Sequence, residues 1–439
     1  MPASANPAPA APAVSPARVC AYTVVRRVFE HGAYADRALH AEAAGLDERE
    51  RAFAMALAYG TVQRAGTLDH IIARLADRPA ERLDAPVLAA LRLGLTQILL
   101  LDGVADHAAV HESVELAKRD APRGSGLVNA VLRRATREGR GILDGLHDND
   151  PAGAAVLHSV PPWLAELWWS ELGARRARTL LAAINLPAES AVRLNTLAGE
   201  PEALAAGLGV PAEAVPGIPE GRVLTAPFDV NGSAPWQRGE LMPQSRASMT
   251  VARTLDPQPG ERVLDLCAAP GAKTTHLAAL MGDSGELVAV ERHPGRAAAL
   301  RRTLERMGIT SAVVVQDDAG RAPSGDREAG FDRVLVDPPC SGLGTLQSRP
   351  DLRWRTSPER IAALALQQAQ ILRAGAAATR PGGTLVYSVC TISRAESDGV
   401  IAPFLAQHAD WSADGETRLA PDTDATDGFY IARLCRRAR

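Results

Sequence analysis

After Pro259-Gly260 the chain turns into short apolar runs separated by amphipathic stretches: Arg262 to Leu266, Leu287 to Val290, Ala312 to Val315, Val334 to Val336 and Thr384 to Tyr387. Strand-length runs alternating with helix-period segments are the signature of a mostly parallel sheet with crossover helices. Between the second and third runs Ala297, Leu300, Leu304 and Met307 recur at helical spacing, with Arg296, Arg301, Arg302 and Arg306 on other faces. One helix is therefore expected to cover a sheet face there. A last run, Phe429 to Leu434 after Asp427-Gly428, reads as a late strand pairing antiparallel at the sheet's end.

Two of these runs lead to cysteines, Cys340 in Asp-Pro-Pro-Cys-Ser-Gly (337–342) and Cys390 in Tyr-Ser-Val-Cys-Thr (387–391). Open α/β sheets bind ligands outside the carboxyl ends of their strands, so both thiols are expected to face one crevice. Paired thiols there suggest covalent chemistry. The five cysteines, Cys20, Cys267, Cys340, Cys390 and Cys435, are odd in number, scattered and without zinc-type spacing. That pattern indicates reduced thiols in a cytosolic setting and no structural metal.

At 439 residues the chain implies two or three domains. Residues 1–17, mostly Ala and Pro with no apolar core, read as a disordered tail rather than a secretory signal. Residues 18–140 have helical periodicity, with Leu88, Leu91, Leu95, Ile98 and Leu99 on one face, and imply an all-α bundle. Residues 141–160, rich in Gly, Asp and Asn towards their start, read as a linker, 161–235 as a small α/β connector opened by an aromatic helix, and 236–439 as the domain with the parallel sheet. No apolar run is long enough to span a membrane, and a cytoplasmic location is expected. With a net charge of −3, any nucleic-acid contact must come from local basic patches. Arg133, Arg134, Arg137 and Arg140 form such a patch at the end of the bundle, where a solvated helix end is the plainer reading.

Around the expected strand ends stand the residue types of a nucleoside site. Asp265-Leu-Cys-Ala-Ala-Pro-Gly-Ala-Lys273 follows the first strand and leads into a helix near Thr274, where small residues allow close backbone approach and the helix start supplies free N–H donors. Glu291 ends the second strand, where a carboxylate can accept from two ribose hydroxyls. Asp317 and Asp318 follow the third and can accept from an exocyclic amine.

Here the chain resembles, over nearly its whole length, the bacterial 16S ribosomal RNA cytosine-5 methyltransferases of the RsmB (Sun/Fmu) type. Leu-Arg-Leu-Gly (91–94), His-Ala-Ala-Val-His-Glu-Ser-Val (107–114) and Leu-Val-Asn-Ala-Val-Leu-Arg-Arg (127–134) look like the NusB-like RNA-binding domain fused to that enzyme. Asp265-Leu-Cys-Ala-Ala-Pro-Gly271 is similar to the family's S-adenosylmethionine loop, and the 337–342 run with Arg-Pro-Asp-Leu-Arg-Trp (349–354) resembles its fourth motif and extension. The resemblance implies an N-terminal all-α NusB-like bundle, a small connector and a C-terminal Rossmann-like methyltransferase domain. It also implies S-adenosylmethionine as methyl donor and 16S ribosomal RNA as partner, with no DNA or membrane partner, in a monomer. By the same resemblance Cys267, Ala268, Ala269, Pro270, Gly271, Ala272 and Lys273 contact the donor, Glu291 its ribose, and Asp318 or Asp317 its adenine, with Asp337 nearer the reacting centre. Cys390 is implied as nucleophile, Cys340 as the group assisting adduct breakdown, Lys273 and Asp337 as holding the target base, and Arg133, Arg134 and Arg137 as touching RNA.

The chemistry requires these types. Carbon 5 of cytosine is a poor nucleophile, so a thiolate must first add at carbon 6, and a base must later remove the C5 proton. The base must also leave the RNA stack to reach the thiol. An amino-group methyltransferase with Asp-Pro-Pro-Tyr is the weaker match, because the stacking aromatic is absent and a second cysteine has no role there. Transfer RNA as substrate, and a non-catalytic ribosomal-RNA-binding assembly factor, are the other readings. Four positions depart from the family pattern: Ala272 for a second loop glycine, where a positive φ would be strained, and Val389, Ser397 and Ser245.

Overall fold

The computed structural model describes residues 14–321 and 330–438, which form two compact units. The first comprises the chain up to Asn185 together with Arg349–Arg355, and the second comprises Leu186–Ser348 and Thr356–Arg439. No helix among the described residues is long and apolar enough to cross a membrane.

The first unit is all helical. Its centre is the helix Ala85–Leu99, packed by the helices Pro16–His31, Glu48–Gln63, Asp106–Asp120 and Ser125–Asp144. Leu91, Leu95 and Leu99 are buried as the spacing predicts, but Val87, Ala90, Leu93 and Gly94 are buried too, so the helix is covered nearly all round rather than along one stripe. Gly94 is needed for that closeness, since a Cβ there would lie 2.5 Å from the Leu132 side chain.

Two sequence expectations fail in this unit and a third has its boundary shifted. Of the tail at 1–17, residues 1–13 lie outside the described residues, while Pro16 and a buried Ala17 already begin a helix. The expected linker at 141–160 is largely helical, since the preceding helix runs to Asp144 and another occupies Pro151–His158. The polar residues that suggest a linker have local partners: Asp150 caps the second helix by accepting from Gly153 N (2.8 Å), and Asp148 pairs with His158 (3.2 Å). The aromatic helix Pro162–Leu172 and its successor Ala174–Ala183 also belong to this helical unit, not to the connector, because Leu164, Trp168, Leu180 and Leu181 are buried within it.

The segment Arg349–Arg355, though late in the chain, is part of the same unit. Arg353 is fully buried, and its guanidinium donates to the carbonyls of Gln63, His158, Ser159 and Ile184 and to Asn185 Oδ1. These acceptors stand at the C-terminal ends of three helices, whose partial negative charges serve as counter-charge in place of a carboxylate. Burial pushes the guanidinium down to about 9, which leaves it charged at neutral pH. Arg353→Met should therefore cost about 3 kcal/mol by orphaning several carbonyls at once, read as a lowered urea midpoint with unchanged slope.

In the second unit, β1 (Ala191–Leu194), β2 (Ala212–Val215), β3 (Ile218–Leu224) and β4 (Leu241–Pro243) form an antiparallel sheet in the order β2-β3-β1-β4. The connector sheet thus extends past the boundary expected at 235. Its Arg193, fully buried, donates to Gln244 (2.8 Å) and to Thr275 (2.7 Å).

The larger sheet contains β5 (Arg262–Leu266), β6 (Glu286–Val290), β7 (Ala312–Val315), β8 (Phe331–Val336), β9 (Thr379–Val389), β10 (Trp411–Leu419) and β11 (Phe429–Arg436). Their order is β10-β11-β9-β8-β5-β6-β7, parallel from β9 to β7 and antiparallel at β11 and β10. The late strand β11 is antiparallel as expected, but β10 lies outside it at the edge. The helix Pro294–Arg306 buries Ala297, Leu300 and Leu304. The chain leaves β5 on one side for β6 and β7 and returns on the other at β8, so the β5/β8 boundary is a topological switch point. Leu266 is level with Val290 on one neighbour and with Val336 on the other, and Val336 is level with Tyr387. That register brings Cys267, Glu291, Asp337 and Ser388 to the same end of the sheet.

Candidate active site

The loop after β5 takes the left-handed conformation at Cys267 (φ 68°) and Gly271 (φ 110°). Gly271 answers the need for glycine here, since a Cβ would also meet Leu300 at 2.8 Å. Ala272 begins the helix Ala272–Leu280 with no positive φ, so the strain expected from replacing a second glycine does not arise. Below the loop, Asp265 is buried; its Oδ2 accepts from Thr274 Oγ1 (2.7 Å), and its Oδ1 has no partner among the described residues. Burial, opposed by the Thr274 bond and aided by the Asp337 charge, lifts this carboxyl to about 7.

A crevice opens beside the loop, walled by Val290, Ala319, Pro339 and Ile371 and rimmed by Cys267, Glu291 and Asp318. Glu291 is buried, accepts from His293 N (2.8 Å) and pairs with Arg296 (3.2 Å), which also donates to Ala269 O (2.9 Å). Asp318 lines the crevice, while Asp317 turns its carboxylate back to Asp318 N (2.7 Å). A crevice with apolar side chains from Val290, Ala319 and Ile371 and the carboxylates of Glu291 and Asp318 in its lining fits the adenosine end of a methyl donor. Burial, followed by the charges of Asp337, Asp265 and Glu291, pushes the Cys267 thiol far up, so this cysteine is an inert lining residue.

On the β8–β9 side, Asp337 accepts from Lys273 Nζ (2.8 Å) through one oxygen and from Ser388 Oγ (2.7 Å) through the other. Lys273 also lies 5.2 Å from the centre of the Phe429 ring. Burial by itself would lower its pKa, but Asp337 outweighs that and holds the ammonium above its ordinary value. Next to this pair the two thiols meet, with Cys340 Sγ 3.3 Å from Cys390 Sγ. Cys390 follows β9 directly, whereas Cys340 stands four residues past β8. The loops are clipped together by Gly344 N donating to Cys390 O (3.0 Å) and Gly428 N to Gly344 O (2.7 Å). No side chain fits at Gly344, where a Cβ would lie 1.9 Å from the Gly428 carbonyl. The hydrogen bond to Cys390 and then burial raise the Cys340 thiol well above its usual range, so it stays protonated.

The family model for the 16S rRNA methyltransferases RsmB/F matches residues 252–435, and that for the NusB family matches residues 15–137. A probable ribosomal RNA small subunit methyltransferase B of Synechocystis sp. is 36% identical, over 95% of this chain and 99% of its own length. The chain belongs to the RsmB/F methyltransferase family. The ribosomal RNA small subunit methyltransferase B of Thermus thermophilus is likewise 36% identical, over 89% of each chain. The crystal structure of PH0851 superposes with a TM-score of 0.82 at 26% identity, covering 96% of this chain and 99% of that one.

For an RsmB/F methyltransferase, the resemblance read in the sequence points to Cys267, Glu291 and Asp318, which line the crevice, and to Lys273, Asp337, Cys340 and Cys390, which meet in pairs at the β8–β9 end, but it misses their supports. Arg296 and the crevice wall from the helix Pro358–Ala378, which carries Ile371, lie outside the motifs, and Ser388, inside the 387–391 run, has no role implied there. The departures have local explanations: Ser245 caps the helix Arg246–Leu255 by accepting from Ser248 N, as an aspartate would, and Ser397 donates to Ser393 O (3.0 Å). Val389 is simply buried. In the helical unit, Arg133, Arg134 and Arg137 are exposed on the helix Ser125–Asp144, where Arg134 pairs with Glu138 (2.8 Å) and Arg137 donates to Arg133 O (2.9 Å).

Proposed function

We propose that this protein methylates carbon 5 of a cytosine in 16S ribosomal RNA through a covalent adduct between Cys390 and carbon 6 of the base. The observation that carries this reading is the 3.3 Å approach of two thiols beside the Lys273–Asp337 pair. The names borne by its relatives support the ribosomal substrate. S-adenosylmethionine supplies an electrophilic methyl group; Cys267 to Lys273, Glu291 and Asp318 are the residues to hold it.

In this mechanism the Cys390 thiolate adds to carbon 6, and the electron pair of the C5–C6 double bond moves into the ring, toward C5. Lys273 and Asp337 bind the N3 and amino edge, the ammonium balancing the negative charge that develops there while the carboxylate accepts from the amino group and holds Lys273 in place. The C5 carbon then takes the methyl group. Loss of the C5 proton to a water held by Cys340, which passes it to solvent, restores the double bond and expels the Cys390 thiolate. Cys340, raised by its bond to Cys390 and by burial, stands as the neutral thiol beside the nucleophile.

Incubating the full-length protein with labelled donor and, separately, small-subunit ribosomal RNA, transfer RNA and DNA tests the proposal. Label should appear as 5-methylcytosine in the ribosomal RNA. Label in transfer RNA alone would change the substrate, and recovery as an N-methyl base would overturn the chemistry.

Arg133, Arg134 and Arg137 are proposed to dock RNA through phosphates. Replacing all three by Ala should weaken RNA binding and reduce the log–log salt slope by roughly 0.7–0.9 per lost phosphate contact. Donor affinity should not change. An unaltered slope in a filter-binding titration would make this a solvated helix face.

A further inference from the structure

The two thiols sit on different loops, and neither holds the other by more than a weak sulfur contact. Besides the Gly344 N to Cys390 O bond and the contact of Ser341 Oγ with Thr391 Oγ1 (2.8 Å), the loops are joined by a carboxylate that the reaction itself does not use. Glu396 is fully buried. Its Oε1 accepts from the backbone N of Ser341 (2.8 Å) and from Gln368 Nε2 (3.0 Å). Its Oε2 accepts from Ser341 Oγ and from Thr391 Oγ1 (3.1 Å). Ser341 follows Cys340, and Thr391 follows Cys390. Gln368 extends the hold on the first loop through its second N–H, which donates to Pro339 O (2.9 Å), just before Cys340. The Tyr387 hydroxyl, 2.8 Å from the Glu396 carbonyl oxygen, fixes the backbone that carries the carboxylate.

We propose that Glu396 is the positioning residue that sets the distance between the two thiols. A carboxylate accepts only, with about four lone-pair directions, and four neutral donors from three elements fill them here. Ionised Glu396 is thus matched by hydrogen bonds instead of a cation, which leaves the positive charge of Lys273 to Asp337. An amide in its place can keep its oxygen toward Ser341 N and Gln368 and turn its N–H groups to the Ser341 and Thr391 hydroxyls, but every bond is then between neutral groups and about half as strong, so the tie between the loops loosens.

The claim that the pair performs adduct formation and release rests on the function proposed above, but the distance claim does not, so the test begins without RNA. Diamide takes two thiols to a disulfide and is itself reduced to the hydrazine. In the full-length protein, thiols 3.3 Å apart should close rapidly to a Cys340–Cys390 disulfide, seen as one cross-linked peptide pair by mass spectrometry. In Glu396→Gln the closure rate should fall at least about 10-fold, while alkylation of Cys435 and donor affinity stay within about twofold. Single-turnover methyl transfer should fall roughly 100-fold, the effect of misplacing a reacting group by about 1 Å. Thr391→Val removes one donor without changing shape, should slow closure by a smaller factor, and should add little when combined with Glu396→Gln.

Closure and turnover both unchanged in Glu396→Gln would overturn the proposal. So would equal changes in Cys435 alkylation, donor affinity and thiol closure, which would mark Glu396 as a fold residue only. If Thr391→Val closes at the wild-type rate, the Cys390 loop does not depend on this carboxylate and the proposal likewise fails. Slow closure in the variants of a protein that methylates no cytosine would instead uphold the positioning and refute the reaction.

Discussion

A Cys340→Ala protein will accumulate as a complex with its RNA that survives denaturing electrophoresis, whereas a Cys390→Ala protein will form no such complex. The two thiols act at opposite ends of one cycle. Without Cys390 nothing adds to carbon 6, and methylation should drop by roughly four orders of magnitude or more, as when a covalent nucleophile is removed. Without Cys340 addition and methyl transfer proceed, but loss of the C5 proton slows and the adduct persists. Under single-turnover conditions this variant should transfer a full equivalent of label, all of it migrating with protein. If the complex forms in the Cys390 variant and vanishes in the Cys340 variant, the roles are exchanged. If none forms even with wild type and a 5-fluorocytosine substrate, which cannot lose a proton from carbon 5, covalent catalysis at this site is wrong.

Asp337→Asn should be damaging to a lesser degree, with a distinct signature in pH. The Asp337 carboxylate is flanked by Lys273 and Ser388, and it is the main reason the buried Lys273 ammonium titrates above its ordinary value. Asparagine keeps the shape but removes the charge, and methyl transfer should fall by about 10²–10³, the range for losing one preorganised electrostatic contact. Burial of Lys273 is then opposed only by the smaller influences of Cys390 and Asp265, so its pKa falls. The folded wild type keeps Lys273 charged as pH rises, whereas the variant should lose that charge progressively, so its residual activity should decline on the alkaline side at a lower pH than wild type. Parallel pH profiles for the two proteins would show that Asp337 does not govern the charge on Lys273.

Both sets of residues are legible in the amino-acid sequence because of where parallel strands end. Strands β5, β6, β8 and β9 are buried on both faces and appear in the sequence as short apolar runs, so the polar residue after each is conspicuous: Cys267, Glu291, Asp337, Cys390. The strand β10 gives no such signal. It is an edge strand whose residues from Ser412 to Glu416 are all exposed, and a strand that buries nothing there has no apolar alternation to show. The helix Pro151–His158 is hidden for the opposite reason, since residues that cap a helix have the composition of a loop.

Local period, strand termini and motif residues are properties of neighbours in the chain, and the sequence by itself determined them: a helical N-terminal unit, a parallel sheet and two thiols at its carboxyl edge. Which oxygen meets which donor was decided only by tertiary structure. Arg353 lies among Arg and Trp in a polar stretch, yet its charge is balanced by three helix ends contributed from Gln63 to Asn185. Glu396 follows a run of Ser, Arg and Ala, and becomes the tie between two loops only because Ser341 and Thr391, 55 and five residues away, converge on it. A buried charge is tolerated only where enough partners assemble around it, and that assembly is a long-range outcome of folding that no local pattern encodes.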